Sequence, residues 1–293
     1  MRTTSAKILL ISVFVARGTS FLFSKTLMDS IPPMSILAVR FLLSFAILAL
    51  VFHRRLRACS RSSLRGGLIL GFLYTVCMVF EMYGLRLIDS GVSSLIENMA
   101  IVLVPIYLAV YTRTLPEKRT LLCAVLAVAG VGFLTLTQRE LSGGALGVAL
   151  AICAAMTYAA CIIMTERVTR GADAITVGIL QLGTMGLLSL IIALPTEHIT
   201  LPHSAQQWTM MLLLVLVCSC FGFTFQPLAQ KYIPAETAAV FTVVNPLTAS
   251  VMGIAVAGEK MTLPKLAGYL LILLSLTLYS SAKKSGATEQ APS

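Results

Sequence analysis

The chain has 293 residues, of which 57% are hydrophobic and only 12% charged, with a formal net charge of +10. Water-soluble domains carry about a quarter charged residues, so this composition excludes an ordinary soluble protein and makes lipid the solvent for much of the chain. Ten membrane spans of about 20 residues each fit the length and leave no room for a separate soluble domain.

The first apolar run, 8–28, is too long for a signal-peptide core and lacks a small-residue cleavage site, so it reads as a retained span. Arg17 lies near its middle and Lys25 near its far end. A second run, 34–52, follows Pro32-Pro33 and carries Arg40. Next come 66–88, with Tyr74, Glu81 and Tyr83, and 91–112, with Glu97, Asn98 and Pro105. The run at 120–137 completes a first group of five. A second group follows: 144–165 with Tyr158, 174–194, 208–230 with Gln226-Pro227, 236–257 with Asn245-Pro246, and 264–281. Such sustained apolar runs are helical, since a membrane strand needs only about ten residues of alternating polarity.

Lys and Arg in the short loops set the orientation. Fifteen of the 22 fall on the side holding both tails and the even-numbered connections, Arg54, Arg55, Arg57, Arg61 and Arg65 among them. Five fall on the other side. The bias places both termini in the cytoplasm and makes the excess charge topological, which excludes nucleic acid as a partner.

The seven cysteines are odd in number and mostly lie within apolar runs. No CxxC or Cys/His spacing occurs, so neither a disulfide framework nor a zinc site is expected. His53, His198 and His203 lie at span ends or in loops, which argues against a buried histidine relay.

The chain divides at Ser142-Gly143-Gly144 into a first repeat, 1–142, and a second, 143–293. An offset of 141 pairs Arg17 with Tyr158, Lys25 with Glu166 and Arg40 with Gln181, while an offset of 145 pairs Ile88 with Ile233. Five spans is an odd number, so the two halves insert with opposite orientation. Inverted repeats of this kind mark secondary transporters, whose substrate site lies near the midplane where the halves meet.

A charge within a span is costly unless it faces protein or water, and so reads as a functional candidate. Arg17, Arg40, Glu81 and Glu97 are such charges, all in the first half. At 1.5 Å per residue, Arg40, Glu81 and Glu97 lie roughly 9–10 Å below the outer surface, with Arg17 about 12 Å below Lys25. Two Arg and two Glu are able to neutralise one another. The functional reading makes Glu81 and Glu97 ligands for an amino group or carriers of protons, and Arg17 the attractor of a carboxylate. The structural reading makes Arg40 and a glutamate a fixed pair, with Arg40 and Lys25 as structural or gating charges. Asn98, Asn245, Gln226, Tyr74, Tyr83 and Tyr158 extend the substrate-binding candidates. Pro227 and Pro246 each remove a helix hydrogen bond beside Gln226 and Asn245.

Arg17-Gly18-Thr19-Ser20-Phe21-Leu22 with Ser24-Lys25, then Pro32-Pro33 with Ala38-Val39-Arg40-Phe41-Leu42, resemble the first two spans of the EamA family in the drug/metabolite transporter superfamily. Val102-Leu103-Val104-Pro105, Asn245-Pro246-Leu247 and Gly258-Glu259-Lys260 resemble its fourth-span, ninth-span and final-turn motifs. The resemblance implies a ten-helix fold of two inverted five-helix repeats around a central cavity, and transport of amino acids or related metabolites. Two positions depart from the family pattern: Arg17 stands where a Trp is usual, and Thr114 stands at the first-half counterpart of Glu259.

No HExxH, GxSxG, DxxD or P-loop motif occurs, which argues against an intramembrane enzyme and against direct ATP drive. The expectation is therefore an all-α, multi-pass transporter of the plasma (inner) membrane that is not an enzyme and needs no cofactor or metal. It moves a small polar metabolite, an amino acid or a cationic or zwitterionic compound, by alternating access. The expected partners are that small molecule, the lipid bilayer and protons, with the chain a monomer. A lipid-linked carrier or flippase is the alternative.

Overall fold

The structure, a computed structural model, describes residues 3–113, 144–242, 244–256 and 262–289, together with Gly258 and isolated positions between 118 and 133. Every regular element among the described residues is helical. Eight helices are long and apolar enough to cross a membrane: α1 (Thr3–Leu27), α2 (Pro33–Val51), α3 (Arg61–Leu87), α4 (Ser90–Thr112), α5 (Gly144–Arg170), α6 (Ala174–Thr196), α7 (Ala205–Gln230) and α8 (Ala235–Ala255). A further helix, α9 (Leu263–Glu289), contains the shorter apolar stretch Leu266–Ser275. The expected span at 120–137 falls largely outside the described residues, as do Thr114 and Glu259.

Local chemistry sets the helix ends. A helix start leaves unpaired N–H groups that side-chain oxygens satisfy. Ser60 caps α3 by accepting from the Ser63 N–H at 3.1 Å. Asp173 caps α6 through the Thr176 N–H at 3.3 Å. Ser204 and Gln207 form a reciprocal capping box at the start of α7. The start of α2 has no such residue of its own, with Pro32 preceding it. There the Glu197 carboxylate, just beyond α6, accepts from the N–H groups of Met34 at 3.1 Å and Ser35 at 3.0 Å.

Several helices are interrupted. α1 breaks at Thr19, α4 at Asn98-Met99 and α8 after Phe241. The α4 break tightens into three-residue hydrogen bonds, Met99 to Ile96 and Ile101 to Asn98. In α7, residues Leu214–Phe223 are π-helical, a rare form that is frequent at functional sites.

The packing exchanges onto itself when the two halves are swapped. α3 packs along α5 as α1 packs along α7; α4 packs on α5 as α8 packs on α1; α2 and α6 pack together, as do α4 and α8. Polarity is inverted relative to a soluble protein. Leu50, Phe72, Val110, Leu194 and Val251 face outward, whereas Arg17, Arg40, Glu81, Glu97, Gln181, Gln226 and Asn245 are buried. That distribution suits a chain whose surroundings are lipid and whose interior carries the polar chemistry.

Small residues permit the close helix approaches. A Cβ on Gly71 of α3 would lie 2.4 Å from the Thr184 Cβ of α6. One on Gly178 of α6 would lie 2.8 Å from the Thr224 Cα and 2.9 Å from its carbonyl, which are backbone atoms with no rotamer to yield. Gly178→Val is therefore expected to destabilise the fold by about 1–3 kcal/mol or more through overpacking. A lowered melting temperature and reduced monodisperse yield in detergent would register it; wild-type stability would contradict the packing.

Candidate functional site

α1 brings Arg17 into the interior at 5% exposure, against α5 and the π-helical part of α7. A guanidinium there needs partners for its donors and compensation for its charge. It finds them in neutral groups. Nη1 donates to the Tyr158 hydroxyl at 3.2 Å and to Gln226 Oε1. The guanidinium carbon lies 4.4 Å from the ring centre of Phe223, 5.1 Å from that of Tyr158 and 5.8 Å from that of Tyr74. Ring faces attract cations most strongly where water is excluded.

The cage is itself braced. Gln226 Nε2 donates to the Tyr74 hydroxyl at 3.0 Å, which fixes its Oε1 towards Arg17. Tyr74 meets Phe223 edge to face, with ring centres 5.4 Å apart, and Tyr158 at 6.4 Å. Gly222 leaves room for the Arg17 side chain: a Cβ there would lie 3.0 Å from Arg17 Cγ.

Arg40 is a second buried cation near Phe223. Its Nε donates to the Ser219 hydroxyl at 2.6 Å, and its guanidinium carbon lies 5.0 Å from the Phe41 ring centre and 5.8 Å from that of Phe223. Ion pairs among the described residues include Arg55–Asp173, at 3.5 Å, and Arg170–Glu166. The direct Arg40–glutamate pair considered from the sequence is not formed. Glu81 and Glu97 instead face each other at hydrogen-bonding range and act on Arg17 through space.

The structure thus gathers Arg17, Tyr74, Tyr158, Gln226, Glu81 and Glu97 into one interior cluster with Arg40 beside it. Asn98, at 0% exposure, follows Glu97 on α4. The Asn245 carbonyl lies beside Gly18: a Cβ on that glycine would sit 2.8 Å from it. Tyr83 lies elsewhere. Its hydroxyl donates to Glu197 Oε1 at 3.2 Å, at the start of α2. Sequence reasoning did not single out Phe223 or Ser219.

Lys25 and Glu166, which match at the 141-residue offset, make matching links. Lys25 Nζ donates to the Ile88 carbonyl at the α3–α4 junction. Glu166 Oε2 accepts from the Ala235 N–H at 2.6 Å, at the α7–α8 junction. Ile88 and Ile233 match in turn at offset 145. No group of three or more His, Cys, Asp or Glu converges among the described residues in a way that would hold a metal.

The sequence profile of the EamA-like transporter family matches twice, over residues 4–136 and 145–281. No curated protein matches the chain. A protein whose crystal structure is solved superposes with a TM-score of 0.70 at 14% identity, covering 95% of this chain and 98% of that one, a likeness of fold.

Gln226→Leu removes the amide that holds Arg17 and braces Tyr74, leaving a buried guanidinium underpaired. Hydrogen bonds to charged groups contribute about 1.5–3 kcal/mol, so a measurable fall in melting temperature is expected for Gln226→Leu and a smaller one for Tyr158→Phe. Unchanged melting in both would mean that Arg17 is not held as described.

Proposed function

The chain belongs to the EamA-like transporter family, and on that premise we propose that it is a secondary transporter carrying a small polar metabolite across the plasma membrane by alternating access. The observation that carries this reading is the Arg17 cage. Arg17 comes from the first half, while Tyr158, Phe223 and Gln226 come from the second. A site built across the seam between two repeats is altered whenever one half rocks against the other.

The full architecture in this reading is ten helices in two inverted repeats, 1–142 and 143–293, with both termini in the cytoplasm. The substrate is an amino acid or a small cationic or zwitterionic compound. Arg17 keeps donors beyond those bound to Tyr158 and Gln226, and its charge is held by dipoles and rings rather than by a carboxylate. A substrate carboxylate therefore has something to gain there. Glu81 and Glu97 supply the complementary charge for an amino group. Two carboxyls facing each other also suit proton exchange, since like charges at short range favour a shared proton. Asn98, Asn245, Tyr74 and Tyr158 complete the wall.

The links of Lys25 and Glu166 serve as paired closures. One ties the end of α1 to the α3–α4 junction, the other the end of α5 to the α7–α8 junction. With the halves inverted, these junctions face opposite sides of the membrane. Releasing one link while holding the other is what alternating access requires.

A ligand that binds only the folded state raises its stability, by about 2.7 kcal/mol at a hundred times the dissociation constant. Purified wild-type protein is expected to be stabilised by at least one compound in a panel of amino acids and amines. Arg17→Ala and Glu97→Gln are expected to abolish that shift while eluting as monodisperse protein. Stabilisation by lipid headgroup compounds alone would replace this reading with that of a lipid-linked carrier. A metabolite shift retained in both variants would remove the site assignment.

A further inference from the structure

The first half of α4, Ser90–Glu97, together with Asn98, carries side-chain oxygens that the fold leaves without a partner. Ser93 and Ser94 are buried to 1% and 0% exposure, yet neither hydroxyl makes a hydrogen bond. Buried helical hydroxyls ordinarily donate to the carbonyl four residues back. Ser44, Thr75, Thr165 and Thr169 do so at 2.7–2.8 Å, while Ser189 and Thr224 are single unpartnered hydroxyls on other helices. Ser93 and Ser94 make no such bond. One turn on, Glu97 Oε2 and Asn98 Oδ1 are likewise unpartnered. The Asn98 amide is not free to turn, because its Nδ2 donates to the Ser94 carbonyl at 2.8 Å and so commits Oδ1 to point away from it.

These positions share one side of the helix. At 100° per residue, Ser93, Glu97, Ser94 and Asn98 span an arc of roughly 140°, with Cβ atoms three or four residues apart lying about 5–6 Å from one another. The opposing helix half, Val244–Ala255 of α8, packs on this segment and contributes Asn245, whose Oδ1 is also unpartnered. Two hydroxyls, one carboxylate oxygen and one or two amide oxygens thus occupy a single interior region. A buried polar atom left unsatisfied costs about 1–3 kcal/mol, so a run of them on one surface indicates a ligand that satisfies them together.

The chemistry of the set defines that ligand. Every unpartnered atom here is an oxygen, with no nitrogen or sulfur donor among them, which suits a hard cation rather than a transition metal. Glu97 faces Glu81, and two carboxyls that share one proton carry one negative charge between them, which matches a monovalent ion. The break at Asn98-Met99 adds the negative end of the Ser90–Glu97 helix dipole at the same place. We propose that Ser93, Ser94, Glu97 and Asn98, with Asn245 opposite, form a binding site for a small monovalent cation, either Na+ or a primary ammonium group. The site lies beside the Arg17 cage and, resting on the transport reading, supplies either the coupling ion or the seat of the substrate's amino group.

The test measures the melting temperature of purified protein in choline chloride while NaCl, KCl or ammonium chloride is titrated in at constant ionic strength. A saturable rise with NaCl or ammonium chloride, absent with KCl, is expected. Selectivity for Na+ assigns a coupling ion, and selectivity for ammonium assigns a substrate amino group. Ser93→Ala with Ser94→Ala should abolish the rise, and Glu97→Gln should weaken apparent affinity about tenfold or more, a loss of 1.4 kcal/mol or greater. Monodisperse elution and a near-wild-type melting temperature in choline alone verify that these variants fold. Identical titrations in all salts, or a rise that survives the double serine variant, would overturn the site. The metabolite panel, run in choline, separates the two claims: metabolite stabilisation without a cation effect removes only the cation site, and loss of both removes the transport reading.

Discussion

The protein is organised around a positive charge placed where a membrane protein has the fewest means of solvating one. A guanidinium in an apolar interior costs several kcal/mol unless its donors and charge are met. Arg17 meets that cost without a salt bridge. Three aromatic rings, a phenol and an amide hold it, and the amide is itself pinned by Tyr74. A carboxylate partner would neutralise the group and lock it. Neutral partners fix its position and leave its charge unspent.

The two halves of the chain divide this work unequally. At matching positions the first half carries charge and the second carries neutral hydrogen-bonding groups: Arg17 against Tyr158, Arg40 against Gln181, and, at offset 145, Glu81 against Gln226. Arg17 and Tyr158 are both positional counterparts and direct contacts, at 3.2 Å. The cluster therefore draws on both halves, with Arg17 of the first held by Tyr158 and Gln226 of the second. Lys25 and Glu166 depart from that division, since both are charged, one donating to a backbone carbonyl and the other accepting from a backbone N–H. The inward charge and the outward apolar surface are two consequences of one solvent.

The helices were legible because their signal is long and one-dimensional. Eight expected apolar runs coincide with helices to within about five residues at each end, the larger differences falling at caps and polar turns that hydropathy alone does not weigh. Arg17, Tyr158 and Gln226 were legible as polar residues in apolar runs, and the repeat offset had already paired two of them. Depth along a helix was less informative. Counting residues puts Arg40, Glu81 and Glu97 at one level, but level says nothing of direction around the helix, and Arg40 turns to Ser219 rather than to a glutamate. Phe223 was hidden because an aromatic residue in an apolar run is indistinguishable from packing, and Ser219 because it lies in the π-helical segment, where ordinary helical spacing fails. Ser93 and Ser94 look in sequence like any helical serines. Only the structure separates them from Ser44 and Thr75, whose hydroxyls are satisfied by their own helix.

If the Arg17 cage is the transport site, it must become accessible from each side of the membrane in turn, and Cys161 is a native reporter of that event. Cys161 is fully buried and lies on α5 three residues after Tyr158, one turn along the same side of the helix. The decisive measurement is its modification by a membrane-impermeant thiol reagent, read peptide by peptide by mass spectrometry, in intact cells and in inverted vesicles. Labelling of Cys161 from both sides, slowed by a stabilising metabolite, is the result predicted for a cavity with alternating access. Labelling from neither side, while the half-buried loop residue Cys59 reacts normally, would mean that the cluster is a permanently packed core and would contradict its role in transport.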